Sequence, residues 1–241
     1  MDSQALVCFH IDYRTAAKDH LMPTHSVNSV LEVSHLGKTV QTVDGPLTIL
    51  HDIQFSVSEG ESLAIVGTSG SGKSTLLRAM AGIYKPQLGS VNITGEISTV
   101  FELGSGLDHD VDGVQNIINL CLIKGMSLAE ARGLLDNISE FTGLGDFLYL
   151  PVRTYSSGML LRLMFAVATI KAPDIFLLDE MFSTGDAEFQ EKSMKRINEI
   201  IDKSKIFVFA SHDHGLLKKY CNRIFRLEHG KVVEISVLDL G

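Results

Sequence analysis

A glycine-rich stretch from Gly67 to Thr75 has the residue types and the spacing that bind phosphate groups. It reads GTSGSGKST, follows the apolar run SLAIVG (62–67) and leads into STLLRAMAG (74–82), which has helical spacing. The glycines let backbone N–H groups converge on phosphate oxygens, and a helix N-terminus adds partial positive charge. Lys73 supplies a full charge for the β- and γ-phosphates, and the Ser74 hydroxyl is placed to bind Mg²⁺. The stretch therefore predicts a nucleoside triphosphate site made of Gly67, Thr68, Ser69, Gly70, Ser71, Gly72, Lys73, Ser74 and Thr75.

A second group of candidate residues lies where the apolar run IFLLDE (175–180) ends in two carboxylates. Four apolar residues in succession indicate a strand buried on both faces, and α/β folds bind ligands at the carboxyl edge of such strands. Asp179 suits the surroundings of Mg²⁺, and Glu180 can polarise an attacking water. A strand that merely ends in solvated acids is common, but downstream of a phosphate-binding loop we interpret the pair as catalytic.

The segment SHDH (211–214) follows another apolar run, KIFVFA, and its first histidine has three readings. If the run is a strand, His212 would stand at the strand's carboxyl end, within reach of a γ-phosphate. A turn that caps the next helix explains the same residues without catalysis. A metal site is the third reading, but the two histidines lack further ligands at suitable spacing. Beside the first two motifs we prefer the catalytic reading.

The pentapeptide YSSGM opens a further segment with helical spacing, SGMLLRLMFAVATI (157–170). Small residues at a helix N-terminus are a second way to bind phosphate, and an ordinary serine-capped helix is the plainer reading. The pentapeptide lies far along the chain from Lys73, so we do not expect both to serve one phosphate group within a single chain. Two such devices per chain predict a dimer in which each subunit completes its partner's site. The candidate residues are Tyr155, Ser156, Ser157, Gly158 and Met159.

Alternating strands and helices are predicted to position these residues. The middle of the chain, about 104–172, is predicted to be helical, with a capping signature at Ser127 and Glu130. The simplest architecture is a parallel α/β core over residues 30–241 with this all-helical insertion, preceded by an N-terminal arm, 1–29. The predicted strands are 30–36, at a sheet edge, 49–61, 62–67, 174–180, 205–211 and the hairpin 223–235, and the other predicted helices are 74–82, 113–125, 127–141, 187–202 and 214–221.

The composition of the chain argues against several classes of protein. The chain has 241 residues, and its 21 basic against 29 acidic residues give a net charge of −8. A nucleic-acid partner is therefore not expected, since such proteins usually show a basic footprint. No apolar run approaches the roughly 20 residues that a membrane-spanning helix needs, and no signal peptide is evident. The three cysteines form no CxxC pair, so neither a disulfide framework nor a zinc site is predicted.

Taken together, the motifs resemble those of the nucleotide-binding subunit of an ABC transporter, over about residues 30–235. GTSGSGKST looks like the Walker A motif, IFLLDE like Walker B and YSSGM like the signature motif. The resemblance implies a P-loop NTPase core, a mostly parallel sheet with flanking helices, plus an antiparallel β edge and an all-helical insertion. It also implies ATP hydrolysis with Mg²⁺ in a homodimer that sandwiches ATP. The implied roles are catalysis for Lys73, Glu180 and His212, metal binding for Ser74 and Asp179, and a dimer contact for Asp186 in STGDAEF (183–189).

A narrower resemblance, in residues 95–117 and 145–159, is to exporters of O-antigen, capsule and teichoic-acid polysaccharides. These segments combine a Glu-Leu-Gly run with the Tyr-Ser-Ser-Gly-Met signature, and STGDAEFQEK (183–192) agrees with them. Glu102 joins the candidate metal residues, because it would lie in the loop between the metal and the membrane subunit. The implied function is export of a lipid-linked polysaccharide through separate integral-membrane permease subunits. The chain would then be peripheral, on the cytoplasmic face of the inner, or plasma, membrane.

Other functions stay open at this point. Residues 36–57 look closer to exporters of lipoproteins or lipids, which would use the same ATPase on a different substrate. A non-transport ABC ATPase in DNA repair or translation usually carries two such domains or a long coiled-coil insertion, and this sequence shows neither. Glu180 and His212 argue against a regulator without turnover.

The residue that contacts the nucleotide base is also open. ABC ATP-binding subunits usually stack adenine on an aromatic residue in the first strands. By spacing that position is near Val40, in HLGKTVQTVD, which contains no aromatic residue. Tyr13 of the N-terminal arm is the alternative. Specificity for adenine therefore follows from the resemblance alone.

Overall fold

The computed structural model describes residues 29–100, 106–179 and 186–236, and strands alternate with helices through most of them. The strands are β1 (Ser29–Thr42), β2 (Gly45–Ser58), β3 (Ser62–Val66), β4 (Leu88–Ile93), β5 (Ile97–Thr99), β6 (Ile175–Asp179), β7 (Ile206–Ala210), β8 (Arg223–Glu228) and β9 (Lys231–Ile235). The α-helices are α1 (Lys73–Met80), α2 (Gly113–Ile123), α3 (Leu128–Gly133), α4 (Leu135–Thr142), α5 (Ser157–Ala168), α6 (Ala187–Ile201) and α7 (His214–Tyr220). Short 3₁₀ turns lie at Gly145–Tyr149 and Val152–Thr154.

The short apolar runs build a six-stranded sheet in the order β5-β6-β7-β3-β8-β9. All neighbours are parallel except β9, which returns antiparallel beside β8 through the turn at His229 and Gly230. Successive residues of β3 enter different cores: Leu63 and Ile65 pack with α1, whereas Ala64 packs with α6 and α7. Because helices cover both faces of the sheet, its strands are unbroken apolar runs in the sequence. The predicted α/β fold with an antiparallel part is confirmed.

A separate three-stranded antiparallel sheet has the order β2-β1-β4. The prediction that 30–36 forms an edge strand is wrong, because β4 pairs with β1 on the side opposite β2. The sequence LGSVNI of β4 has a single apolar side chain, Val91, in its interior and is mostly exposed, so its pattern did not predict a strand. Leu31, Val33 and Ile53 of this sheet are fully buried in the same core as α1.

The central helices α2 to α5 enclose their own apolar core, in which Ile117, Ile138 and Leu163 are fully buried. The helix predicted over 127–141 is two helices, because the turn after Gly133 tightens and Leu134 donates its N–H to the Ala131 carbonyl. Glycine is a poor helix former, which favours a break at this point. The predicted capping box at the start of α3 is confirmed.

Asp174 fastens three neighbouring strands at the edge opposite the candidate site. Its carboxylate accepts the Glu96 N–H at 2.8 Å, which fixes the start of β5, and pairs with Lys205 at 2.9 Å, just before β7. Its carbonyl accepts the N–H of Ile206 at 3.1 Å. The Glu96 N–H and the Lys205 ammonium hold the pKa of the Asp174 carboxyl below its usual value. The Asp174 residue thereby ties the starts of β5 and β7 to the start of β6.

We predict that Asp174→Asn lowers the free energy of unfolding at neutral pH by about 1–2 kcal/mol. The neutral amide would weaken the hydrogen bond from the Glu96 N–H and abolish the ion pair with Lys205. The depressed pKa means that this stabilisation is present above the unfolded-state pKa and is lost as pH falls through the folded-state pKa. The variant and the parent should therefore converge in strong acid. Urea unfolding across pH measures this, with Asp202→Asn, an exposed aspartate beyond α6, as the matched control. A gap that persists in strong acid would contradict the prediction.

Candidate nucleotide site

Three parallel strands bring the candidate motifs to one edge of the main sheet. Ile65 of β3 pairs with Ala210 of β7, which pairs in turn with Asp179 of β6. The phosphate-binding loop after β3, the end of β6 and His212 after β7 therefore lie at the same carboxyl edge. This is where open α/β sheets bind ligands.

The loop between β3 and α1 is held against two other strands so closely that it needs glycine. A Cβ at Gly67 would lie 2.4 Å from the Leu227 carbonyl oxygen of β8. A Cβ at Gly72 would lie 3.1 Å from the Ile49 side chain of β2, and Gly72 has a φ of +106°. Gly70 also has a positive φ, which side chains rarely adopt. The glycine spacing seen in the sequence thus corresponds to a packed, left-handed backbone.

The start of α1 is electropositive. Its N-cap is Gly72, no side-chain cap bonds it among the described residues, and its first turn has no acidic residue. Lys73 is only 7% exposed, and its Nζ donates to the carbonyl oxygens of Gly67 at 2.8 Å and Thr68 at 3.2 Å. A buried ammonium curled over a loop at a helix N-terminus concentrates positive charge where an anion can bind.

The loop also fits a phosphate by its unsatisfied polar groups. The Ser71 hydroxyl is buried and has no hydrogen-bond partner among the described residues. Buried polar atoms nearly always form a hydrogen bond. The Ser71 hydroxyl, buried in this glycine-rich loop without one, therefore points to a ligand that would supply the partner. Ser74 and Thr75 occupy the first turn of α1 and are half-buried.

Oxygen donors that suit Mg²⁺ lie at the same edge. Asp179 ends β6 and is half-buried, and Ser74 lies on α1, which packs against β6. No cluster of three metal-ligating side chains occurs within residues 29–100, 106–179 and 186–236. Mg²⁺ needs none, since it is usually held by one or two protein oxygens together with substrate phosphates. The two other predicted carboxylates, Glu180 and Glu102, lie outside the described residues, as does Tyr13.

The segment after β7 contains the helix cap that was one reading of its sequence, and the catalytic role of His212 stays a prediction. Asp213 caps α7 through Oδ1, which accepts the N–H groups of Gly215 at 2.7 Å and Leu216 at 3.1 Å. The Asp213 N–H in turn donates to the Ser211 hydroxyl at 3.1 Å. Asp213 is therefore the residue that caps α7. His212 is exposed at the sheet edge, next to β3, the strand that leads into the phosphate loop.

The pentapeptide forms the N-terminus of α5, which is capped by a serine side chain and exposed to solvent. The Ser156 hydroxyl accepts the Met159 N–H at 3.2 Å, and Ser156, Ser157 and Gly158 are exposed. A Cβ at Gly158 would meet only the Ser156 hydroxyl, at 3.9 Å, among the described residues. Tyr155 anchors the segment by donating its hydroxyl to the Phe147 carbonyl at 2.7 Å, and burial, assisted by Asp112, raises the pKa of that hydroxyl.

Asp186 connects the sheet to the central helices in a way that the sequence did not predict. It caps α6 by accepting the Phe189 N–H at 3.0 Å, and its second oxygen pairs with Arg162 of α5. The Phe189 N–H chiefly, and Arg162 in addition, lower the pKa of the Asp186 carboxyl. Arg162 also donates to the Thr142 carbonyl at 3.1 Å. The predicted contact of Asp186 with a second subunit stays a prediction.

Comparison with known proteins agrees with this geometry. Residues 50–183 match the family described as ABC transporter. The O-antigen export system ATP-binding protein RfbE of Yersinia enterocolitica is 56% identical over 191 residues, 79% of this chain and 80% of that protein. The teichoic acids export ATP-binding protein TagH of Listeria innocua is 39% identical over 187 residues, 78% of this chain but only 56% of that protein.

A solved structure supports the fold. A dimeric ATP-binding cassette in a post-hydrolysis state, bound to ADP and phosphate, superposes with a TM-score of 0.70. The overlap covers 86% of this chain and 98% of that one, at 24% identity. The fold is that of an ABC ATPase cassette, and the chain belongs to the ABC transporter family. Within the described residues, no helix combines the length and the apolar character needed to cross a membrane.

We predict that Ser156→Ala destabilises the chain by about 1 kcal/mol, because the Met159 N–H loses its cap. Ser157→Ala is the matched control: Ser157 is the first helical residue, one position beyond the cap, and its loss should change stability by less than about 0.5 kcal/mol. Chemical denaturation without nucleotide measures both variants. Equal effects of the two substitutions would show that the Ser156 cap contributes nothing.

Proposed function

We propose that the chain is the ATP-hydrolysing subunit of an ABC exporter that moves a lipid-linked polysaccharide, such as O-antigen or capsule, across the plasma membrane. The observation that carries the proposal is the 56% identity with an O-antigen export ATP-binding protein over most of both chains. Identity with a teichoic-acid export protein supports the same class of polymer. The segments 95–117 and 145–159 carry the sequence features of this branch.

In this proposal the loop after β3 binds the phosphates of ATP. Lys73 and the N-terminal N–H groups of α1 neutralise phosphate charge, and the Ser71 hydroxyl gains the partner that it lacks. Ser74 and Asp179 hold Mg²⁺, with Glu102 near it, and when bound the ion neutralises charge that develops on the phosphate oxygens. Both described residues are half-buried at one edge, so their oxygens are accessible to a ligand there.

The proposed chemistry is attack of water on the γ-phosphate. Glu180, which follows β6 directly in sequence, orients and polarises the water. His212 contacts the γ-phosphate from the end of β7, and its exposure at the sheet edge leaves it accessible to that group. Glu180 follows β6 in sequence and His212 follows β7, and these two strands are neighbours in the sheet.

The proposed working unit is a homodimer with ATP sandwiched between the loop of one subunit and the helix N-terminus of α5 in the other. One loop with Mg²⁺ neutralises only part of the charge of ATP, and a second helix N-terminus supplies further donors. The exposed Ser156 and Gly158 leave that terminus open for a partner. Loss of the γ-phosphate would loosen the dimer, a motion that membrane subunits can use.

The proposed partners are integral-membrane permease subunits, bound from the cytoplasmic face. An ABC transporter needs a membrane pathway, and the described residues contain no helix that could form one. The identity with O-antigen and teichoic-acid export proteins supports a polysaccharide as the exported substrate. Export of lipoproteins or lipids is the competing outcome of the tests below.

We predict that Glu180→Gln lowers steady-state ATPase turnover by about two orders of magnitude, the usual scale for losing a positioned base. ATP binding should survive, because glutamine keeps the size of glutamate. Glu188→Gln is the matched control, since Glu188 is an exposed carboxylate on α6 that pairs with Lys192. Turnover near the parental value in Glu180→Gln would assign the role of base to another residue.

The same variant tests the exported substrate in the host cell. A cell that carries only Glu180→Gln should lose the polysaccharide from its surface and accumulate lipid-linked polymer inside. Retained lipoproteins or lipids, with normal surface polymer, would support the competing exporter instead.

We predict that Glu180→Gln dimerises in ATP but not in ADP, and that adding Gly158→Asp abolishes this dimer. The new carboxylate would face the γ-phosphate, whereas the open space at Gly158 lets the monomer fold. Sedimentation velocity measures the dimer, and Gly133→Asp, at an exposed glycine of α3 that is equally open, is the charge control. If the double variant dimerises as well as its parent, the pentapeptide only caps α5.

A further inference from the structure

We infer that Gly230, in the turn between β8 and β9, is a positioning residue for nucleotide binding, an inference that rests on the nucleotide site of the proposed function. Gly230 packs against Ile49 of β2, and Ile49 packs against Gly72 at the start of α1. These three residues define what we call the brace. Gly230 lies far from the phosphate-binding loop in sequence and belongs to none of the motifs that point to that loop.

The turn that contains Gly230 is buried at one of its two central residues. Glu228 pairs with Lys231, so His229 and Gly230 form a two-residue turn that closes the β8–β9 hairpin. Both have a positive φ, +48° and +74°, as a type I′ turn requires. Turns usually lie on the surface, and His229 is exposed, but Gly230 is buried. Another part of the chain therefore covers Gly230.

Strand β2 is the part that covers it. The Gly230 carbonyl accepts the His51 N–H at 2.8 Å, which joins the turn to β2, an edge strand of the antiparallel sheet. A Cβ at Gly230 would lie 2.5 Å from the Ile49 carbonyl oxygen and 2.6 Å from Cδ2 of His51. Because the oxygen belongs to the backbone, a side chain at position 230 would force β2 or the turn to move.

The same residue of β2 contacts the phosphate loop. A Cβ at Gly72 would lie 3.1 Å from Cγ2 of Ile49 and 3.3 Å from its carbonyl oxygen. One carbonyl oxygen thus lies close to both glycines, Gly230 of the hairpin turn and Gly72 of the loop. Gly72 is the N-cap of α1, so a shift of Ile49 would act on the backbone directly before Lys73.

The hairpin also contacts the other end of the loop. A Cβ at Gly67 would lie 2.4 Å from the carbonyl oxygen of Leu227, which precedes the turn in β8. The hairpin therefore contacts the first glycine of the loop directly and the last glycine, Gly72, through Ile49. Hydrogen bonds from backbone N–H groups to phosphate depend steeply on distance and angle. A displaced hairpin turn should therefore weaken phosphate binding without any change in the loop's own sequence.

Gly60 provides a matched control for the backbone strain of a substitution at Gly230. It has a φ of +85° in the turn between β2 and β3, and nothing among the described residues lies within 4 Å of a Cβ there. Gly60→Ala therefore imposes a similar strain in the left-handed region, but it does not push on Ile49.

The test is calorimetric titration of the full chain with Mg-ATP and with inorganic tripolyphosphate, at a temperature at which circular dichroism shows each variant folded. Gly230→Ala should weaken both ligands about tenfold, the scale of one misaligned hydrogen bond to a charged group. Gly60→Ala should bind both ligands as the parent does. In steady-state ATPase, Gly230→Ala should raise KM for ATP and keep kcat, because the loop holds ATP alike in the ground state and the transition state.

Variants of Ile49 test the brace independently of whether Gly230→Ala folds. Ile49→Ala removes the Cγ2 that contacts Gly72 and should weaken both ligands about fivefold. Ile49→Val keeps both γ carbons and should bind like the parent. Since Gly230 acts through Ile49, the double variant with Gly230→Ala and Ile49→Ala should bind no more weakly than Gly230→Ala alone.

Three results would overturn the brace and leave the nucleotide site intact. One is parental affinity in Gly230→Ala, or an equal loss in Gly60→Ala. Another is a double variant in which the two single losses combine in full, since Ile49 would then not transmit the effect. The third is equal binding by Ile49→Ala and Ile49→Val. If instead the parental chain binds neither ATP nor tripolyphosphate, the proposed nucleotide site is wrong, and the brace is wrong with it.

Discussion

The close approach of backbone to backbone at the phosphate loop is the constraint on which the rest of the site depends. A Cβ at Gly67 would lie 2.4 Å from the Leu227 carbonyl oxygen of β8, which leaves no room for a side chain. Gly72 combines a φ of +106° with a close contact to Ile49 of β2. The loop is thereby clamped between the main sheet and the antiparallel sheet. This clamping holds the start of α1, the buried Lys73 and the orphan Ser71 hydroxyl around one space that suits an anion.

Local charge at this edge opposes the charge of the whole chain. The protein is acidic, with a net charge of −8, yet the first turn of α1 has no acid and Lys73 is buried beside it. A helix N-terminus and a desolvated ammonium act at short range, where the surface acids are screened by water and salt. An acidic protein can therefore still hold a local site that attracts an anion.

The central helices are joined to the main sheet by a few specific contacts. Phe141, Phe165 and Phe189, from α4, α5 and α6, pack with ring centroids 5.5–5.9 Å apart. Beside them Arg162 pairs with Asp186, so the start of α6 is tied to the helix that begins at Ser156. A change at the sheet edge that moved Asp186 would act directly on α5.

The sequence by itself determined the loop, the buried strands and most helix bounds, because each depends on local chemistry: glycine spacing, unbroken apolar runs and capping residues. It also carried the family, since four motifs occurred in the right order. Tertiary structure alone decided that β1 is central, because its partner β4 is too polar to be recognised alone, and that 127–141 breaks at Leu134. The Arg162–Asp186 pair likewise joins residues of two different helices, and only packing brings such residues together.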